Sequence, residues 1–182
     1  MRRPVALTGT PGTGKSAVAR RLADSLRVVE VGDLALALGT GRRRGRGIEV
    51  DLRRLVQRLH ESDMLCEYDL VVGHLAHLLP LRDVVVLRCH PSELARRLAR
   101  AHRGTPPERR ANVESEALDV ILWEAIAPGG RRVWEVDTTG QSIAGVTRRV
   151  ASRCRVRGRS DFGEVDWLAD PRVTEGLLDR AR

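Results

Sequence analysis

Apolar residues follow two rhythms along the chain. Unbroken runs recur at PVALT (4–8), VVEV (28–31), DLVVGH (69–74), DVVVLRC (83–89) and RVWEVDTTG (132–140), each closed by glycine or polar residues. Short runs without alternation predict strands covered on both faces. Between them the spacing becomes helical, with Val18, Leu22 and Leu26 in KSAVARRLADSL (15–26) and Leu52, Leu55, Val56 and Leu59 in VDLRRLVQRL (50–59). Further helices are predicted at PSELARRLARA (91–101), at NVESEALDVILWEAI (112–126) with Asn112 as cap, and at SIAGVTRRVASRC (142–154). GTGRRRGRG (39–47) reads as a Gly-Arg loop and RGTPPERR (103–110) as a polar breaker. Strands alternating with helices predict a parallel α/β sheet. After a polar run, VDWLADPRVTEGLL reads as a short docking helix whose Trp167 and Leu168 touch the body.

Composition narrows the picture. The 182 residues fit one domain, and an apolar fraction of 42% suits a packed core. The only aromatics are Tyr68, Trp123, Trp134, Phe162 and Trp167, too few for RNA modules that stack bases on rings. A net charge of +8 favours anionic partners. Cys66, Cys89 and Cys154 are odd in number and widely spaced, matching neither a disulfide framework nor a zinc site and pointing to a reducing cytoplasmic setting. The opening MRRPVALTG is too short of apolar residues for a signal peptide. Leu70 to Leu87 is interrupted by His74, His77, Pro80, Arg82 and Asp83, so no membrane partner is expected.

The candidate chemistry lies in TGTPGTGKS (8–16). Among 32 Lys plus Arg residues, Lys15 is the only lysine. Gly9 to Ser16 fits G-x4-G-K-[ST]. Its glycines let the backbone wrap a phosphate, and the following helix adds partial positive charge. In this pattern Lys15 reaches the β- and γ-phosphates of ATP and the Ser16 hydroxyl ligates Mg²⁺. An arginine fork is too large for such a loop, which explains one lysine kept among arginines. A GTPase would need an N/T-K-x-D motif, which a chain with one lysine lacks. RecA-like and ABC ATPases are larger, whereas P-loop chains of this length are often nucleoside-monophosphate kinases with a mobile lid.

The stretches LTGTPGTGKS, VEVGDLA, LVVGHLAHLLP, VVVLRCHP, RLARAHRG, NVESEALDVIL and EVDTT resemble the adenylate kinase isoenzyme 6 family, also called CINAP, of ribosome-assembly kinases. The terminal DWLADPRVTEGLL resembles its archaeal branch, and the likeness covers nearly the whole chain. It implies a P-loop NTPase fold of the NMP-kinase type, a three-layer sandwich around a parallel five-stranded sheet. It further implies that Gly12, Thr13, Gly14, Lys15, Ser16 and Ala17 hold ATP, that 32–51 is the monophosphate-binding arm, that 100–110 is the lid and that 155–182 is a tail. The lid arginine that clamps ATP is Arg103, with Arg100 the alternative because the family's R-G-aromatic motif here lacks its aromatic. His74, ending the third strand, is the catalytic candidate, its other reading being a core histidine. His77 reads as structural. Asp137, Thr138 and Thr139 fall where kinases of this fold hold adenine, or simply form a turn.

Two departures stand out. Relatives follow GDL with an arginine for the acceptor phosphate, where this chain has Leu36. Arg42, Arg43, Arg44 and Arg46 are its possible replacements, or else a solvated run or an RNA contact. Relatives also carry a carboxylate where this chain has Val72, leaving Ser16 as the clear metal ligand and Asp33 as a further candidate or a helix cap. The resemblance implies Mg²⁺- and ATP-dependent phosphorylation of AMP or another nucleoside monophosphate, with ATPase activity and a role in small-subunit maturation. The alternative is a nucleotide-gated assembly ATPase with little kinase activity. Implied partners are the small-subunit platform ribosomal protein and pre-rRNA of the 30S particle. A basic chain would need an acidic face to meet a basic ribosomal protein, and Glu114, Glu116, Asp119, Glu164, Asp166 and Asp170 are its candidates.

Overall fold

The computed structural model describes residues 4–45, 47–102, 104–156 and 158–178. Strand β1 (Val5–Gly9) leads through a glycine loop into α1 (Lys15–Leu22), followed by β2 (Val28–Glu30) and α2 (Val31–Ala37). A hairpin of β3 (Gly41–Arg44) and β4 (Gly47–Val50) precedes α3 (Leu52–His60) and β5 (Leu70–Val72). Then come β6 (Asp83–Arg88), α4 (Pro91–Arg100), α5 (Pro106–Ala117), α6 (Val120–Ile126), β7 (Arg132–Asp137), α7 (Ile143–Arg155) and α8 (Pro171–Leu178).

The main sheet has five strands in the order β2-β5-β1-β6-β7, all paired in parallel. This is the parallel three-layer α/β architecture expected from the sequence. Period-two alternation sends Ala6, Val84 and Val86 to one face, against Leu55 and Leu59 of α3 and Leu122 of α6. Val5, Leu7, Val85 and Leu87 meet Val18 and Leu22 of α1 and Val146 and Val150 of α7 on the other. Both faces are covered, so the strands read as continuous apolar runs. Each buried Val or Leu contributes about 1.5–3 kcal/mol relative to exposure. Because the sheet is parallel, β1, β2 and β5 all end on one edge, where Gly9, Glu30 and Gly73 emerge together.

Three local expectations are corrected. The Gly-Arg loop is an antiparallel hairpin, pairing Arg42 with Glu49 and Arg43 with Ile48. The helix expected at 112–126 starts at Pro106 and is capped by Thr105, which forms a reciprocal capping box with Glu108. Asn112 therefore lies inside α5, half of the expected breaker is helical, and Asp119 at φ 56° separates α5 from α6. The tail docks first as extended chain, since Asp161 N donates to Val133 O at 2.9 Å and Glu135 N to Asp161 O at 2.8 Å. Trp167 does reach the body, whereas Leu168 stays 45% exposed. No two of the three cysteines are bonded, and burial pushes the Cys89 thiol up to about 11. Among the described residues, no helix is long and apolar enough to cross a membrane.

Candidate nucleotide site

The loop between β1 and α1 owes its shape to glycine. Gly12 and Gly14 hold φ of 99° and 104°, a region that L side chains rarely adopt. A Cβ on Gly12 would lie 2.8 Å from Leu94 Cδ1, so the loop packs directly on α4. A Cβ on Gly14 would meet nothing within 4 Å, because that side faces open space. Lys15 folds over its own loop, with Nζ donating to Gly9 O at 2.6 Å and Thr10 O at 3.0 Å. Thr13 turns inward, giving its hydroxyl to Thr10 O at 2.9 Å and its N–H to the same oxygen at 3.2 Å. Ala17 N donates to Gly14 O at 3.0 Å, starting the helix, while the Ser16 side is exposed.

This loop borders a cavity of about 390 Å³ lined by Gly12, Gly14, Lys15, Ser16 and Ala17 and also by Glu30, His74 and Arg97. A second cavity of about 480 Å³ lies between α2, the hairpin and the end of β5, lined by Glu30, Asp33, Ile48, Val50, Gly73 and His74. The two share Glu30, Gly73 and His74. Partial desolvation, then the Lys15 charge and His77, holds the His74 imidazole below its ordinary value. A neutral ring is therefore favoured there at neutral pH. Desolvation, then Asp33, raises the Glu30 carboxyl above the usual range, while Lys15 opposes this.

His77 is buried in the core. Its Nδ1 lies 2.8 Å from Thr8 Oγ1 and its Nε2 lies 2.8 Å from Glu124 Oε2. Asp137, Thr138 and Thr139 form a turn in which Asp137 Oδ1 accepts from Thr139 N at 2.8 Å and Oγ1 at 2.6 Å. None of the three lines the cavity. Thr138 instead braces Arg97, accepting at its Oγ1 (3.1 Å) and O (2.9 Å). Arg100 is exposed at the end of α4, and Arg103 lies outside the described residues, as does Arg46. Asp33 is in the first turn of α2, not at its cap, and borders only the second cavity. Sequence reading missed Glu30, Arg20 and Arg97 at the cavity wall. Glu30 carried a usable signal, since it is a carboxylate closing a strand beside the loop.

Three members of the expected acidic face are also corrected. Glu116 is buried, receiving Arg88 Nε at 2.8 Å, and Asp119 is half-buried and paired with the same guanidinium. Asp170 is held by Arg172 at 2.9 Å and His90 at 3.2 Å. These three carboxylates answer basic groups of this chain, whereas Glu164 and Asp166 are exposed and Glu114 is partly exposed.

A strand, a glycine loop over a cavity and a helix opening with Lys-Ser define the site of a P-loop protein, and the comparisons agree. A family model described as an AAA domain matches residues 5–119. A Pyrococcus furiosus protein named "Putative adenylate kinase" is 39% identical over 166 residues, covering 90% of each chain. Proteins of that name from Methanothermobacter thermautotrophicus (42% over 175 residues; 90% of this chain, 98% of the relative) and Archaeoglobus fulgidus (38% over 172; 91% and 92%) are similar as well. A solved structure of an uncharacterized protein from Eubacterium ventriosum shares the fold, with TM-score 0.53 at 9% identity over 86% of this chain and 100% of that one. The chain belongs to this archaeal adenylate-kinase-like family of P-loop kinases.

Proposed function

We propose that the protein is an ATP-dependent nucleoside-monophosphate kinase, with AMP the first acceptor to test. The observation that carries this reading is the junction of the P-loop cavity with a second cavity at Glu30, Gly73 and His74. Two nucleotides seated end to end would bring a terminal phosphate of one to the acceptor oxygen of the other. On this reading Lys15 leaves the carbonyls of Gly9 and Thr10 to meet the β- and γ-phosphates. Gly12 to Ala17 supply the backbone cradle, and neutral His74 orients the acceptor without adding charge. Catalysis is positioning and charge stabilisation. Arg103 remains the proposed clamp from the lid, and Arg97 and Arg20 flank the cavity.

The residues fit Mg²⁺. The Ser16 hydroxyl at the wall is a hard oxygen donor, and among the described residues no cluster of His, Cys, Asp and Glu forms a metal cage. That suits an ion carried in by nucleotide phosphates, which would neutralise charge on the transferred group.

For the acceptor phosphate, the hairpin offers one arginine among the described residues on the right face. Opposed residues of an antiparallel pair share a face, so Arg43 lies with Ile48, which borders the second cavity. Arg42 and Arg44 lie on the other face, bound to Glu49 at 3.3 and 3.5 Å.

The test is ADP formation from ATP with and without AMP. Stimulation by AMP, and inhibition by two adenosines joined through five phosphates, support the kinase. An unchanged rate with an inert analogue would replace it with a nucleotide-gated assembly ATPase. That second reading, with its ribosomal-protein and pre-rRNA partners, rests on the sequence resemblance alone, and Glu116, Asp119 and Asp170 of the acidic face it called on are internally paired.

A further inference from the structure

The protein oxygen that Ser16 offers an ion is a single ligand. Mg²⁺ takes six oxygens and usually keeps one or two carboxylates besides phosphates and water. The strand beside β1 provides none, because Val72 is fully buried among Leu7, Leu70 and Val85. One strand further out, Glu30 stands opposite Val72 in the parallel register of β2 and β5. Glu30 is the only carboxylate among the described residues lining the P-loop cavity, which Lys15 and Ser16 also line. Asp33 borders only the second cavity, and Glu93, Glu116 and Glu135 are bound to Arg97 or Arg88. The Glu30 side chain makes no hydrogen bond to the helix it caps, and the charge that favours its ionised form is that of Lys15, whose Nζ is engaged with Gly9 O and Thr10 O. A half-buried carboxylate without a hydrogen-bond partner is costly unless a ligand completes it.

We propose that Glu30 holds the Mg²⁺ of the bound nucleotide, a carboxylate supplied from β2 because β5 carries Val72. The role has moved one strand outward at the same register level, so the group still faces the phosphates. This rests on nucleotide binding at the P-loop and is independent of which acceptor is used.

One consequence has a distinctive sign. Without the ion, Glu30 and the polyphosphate repel each other; with it, both bind the same cation. Glu30→Gln should therefore bind ADP in EDTA as tightly as wild type or more tightly, while losing the gain that Mg²⁺ brings.

The experiment is calorimetric ADP binding in EDTA and in Mg²⁺, with Mn²⁺ titrated into the protein–ADP complex and read by electron paramagnetic resonance. For Glu30→Gln the Mn²⁺ affinity should fall about 10–100-fold, while Asp33→Asn stays close to wild type. A misfolded variant would weaken binding in both buffers and is thereby told apart. Full metal linkage in Glu30→Gln, or its loss in Asp33→Asn instead, would overturn the proposal. Either result would leave the kinase reading to the AMP test.

Discussion

The Thr10 hydroxyl donates to Glu116 Oε2 at 2.5 Å, a tie across 106 residues that pins the phosphate loop to α5. Glu116 Oε1 accepts from Arg88 Nε at 2.8 Å, Cys89 N at 3.0 Å and Trp167 Nε1 at 3.2 Å. One buried carboxylate thus joins the loop, the end of β6, α5 and the tail. Burial lowers the Arg88 guanidinium, but Glu116, Asp119 and Glu135 together outweigh it and hold its pKa above the ordinary value.

Glu116→Ala should destabilise the protein by about 3 kcal/mol, because it breaks a buried ion pair and strands several donors. Thr10→Val removes only the loop end and should cost about 1 kcal/mol. Urea unfolding compares the two, and equal losses would mean that the network does not centre on Glu116.

Lys15→Ala should slow phosphoryl transfer about 10²–10³-fold, roughly 2.7–4 kcal/mol of transition-state stabilisation. Lys15→Arg should fail as well. The planar fork cannot reproduce a compact ammonium folded onto Gly9 O and Thr10 O. Rapid-quench measurement of the chemical step decides, and near wild-type turnover in either variant would remove Lys15 from the mechanism.

Arg43→Ala should raise the KM for AMP about tenfold or more, the worth of one charge-assisted hydrogen bond. Arg42→Ala, on the Glu49 face, should change it less than about twofold, as expected for an exposed ion pair. Steady-state kinetics at saturating ATP separates them. Equal effects would mean that the hairpin face does not select the contact.

Burial lowers the His77 pKa below 6.5 despite Glu124, which raises it. The unfolded chain therefore binds more protons as pH falls through its ordinary value. Stability is complete above that value and declines toward the lower, folded one. His74 is shifted the same way. Chemical denaturation at about pH 7.5 and about pH 5.5 should show lower stability in acid, with a smaller difference in His77→Gln. An unchanged difference would assign the slope to other groups.

What local sequence determined is substantial. PVALT, DLVVGH and DVVVLRC announced buried strands because a strand covered on both faces has no polar side. TGTPGTGKS announced the phosphate loop because its glycines and lysine act through backbone neighbours. His77 read as structural from its place in an apolar run, and it is buried between Thr8 and Glu124.

What the tertiary structure alone decided concerns partners distant in sequence. GTGRRRGRGIEV forms a hairpin because Ile48 and Val50 find α2 and the cavity, while its arginines hide the alternation. The helix breaks at Asp119, whose carboxylate turns to Arg88 of β6. Glu116 is buried although it reads as a surface charge, because Arg88, Thr10 and Trp167 satisfy it from three separate segments. Glu30 gains meaning only through the register that sets it beside Val72, on the edge where β2 and β5 end together. Periodicity reports which face of an element is buried, but the charge that will meet a given carboxylate depends on which strands become neighbours, and that is decided when the sheet assembles.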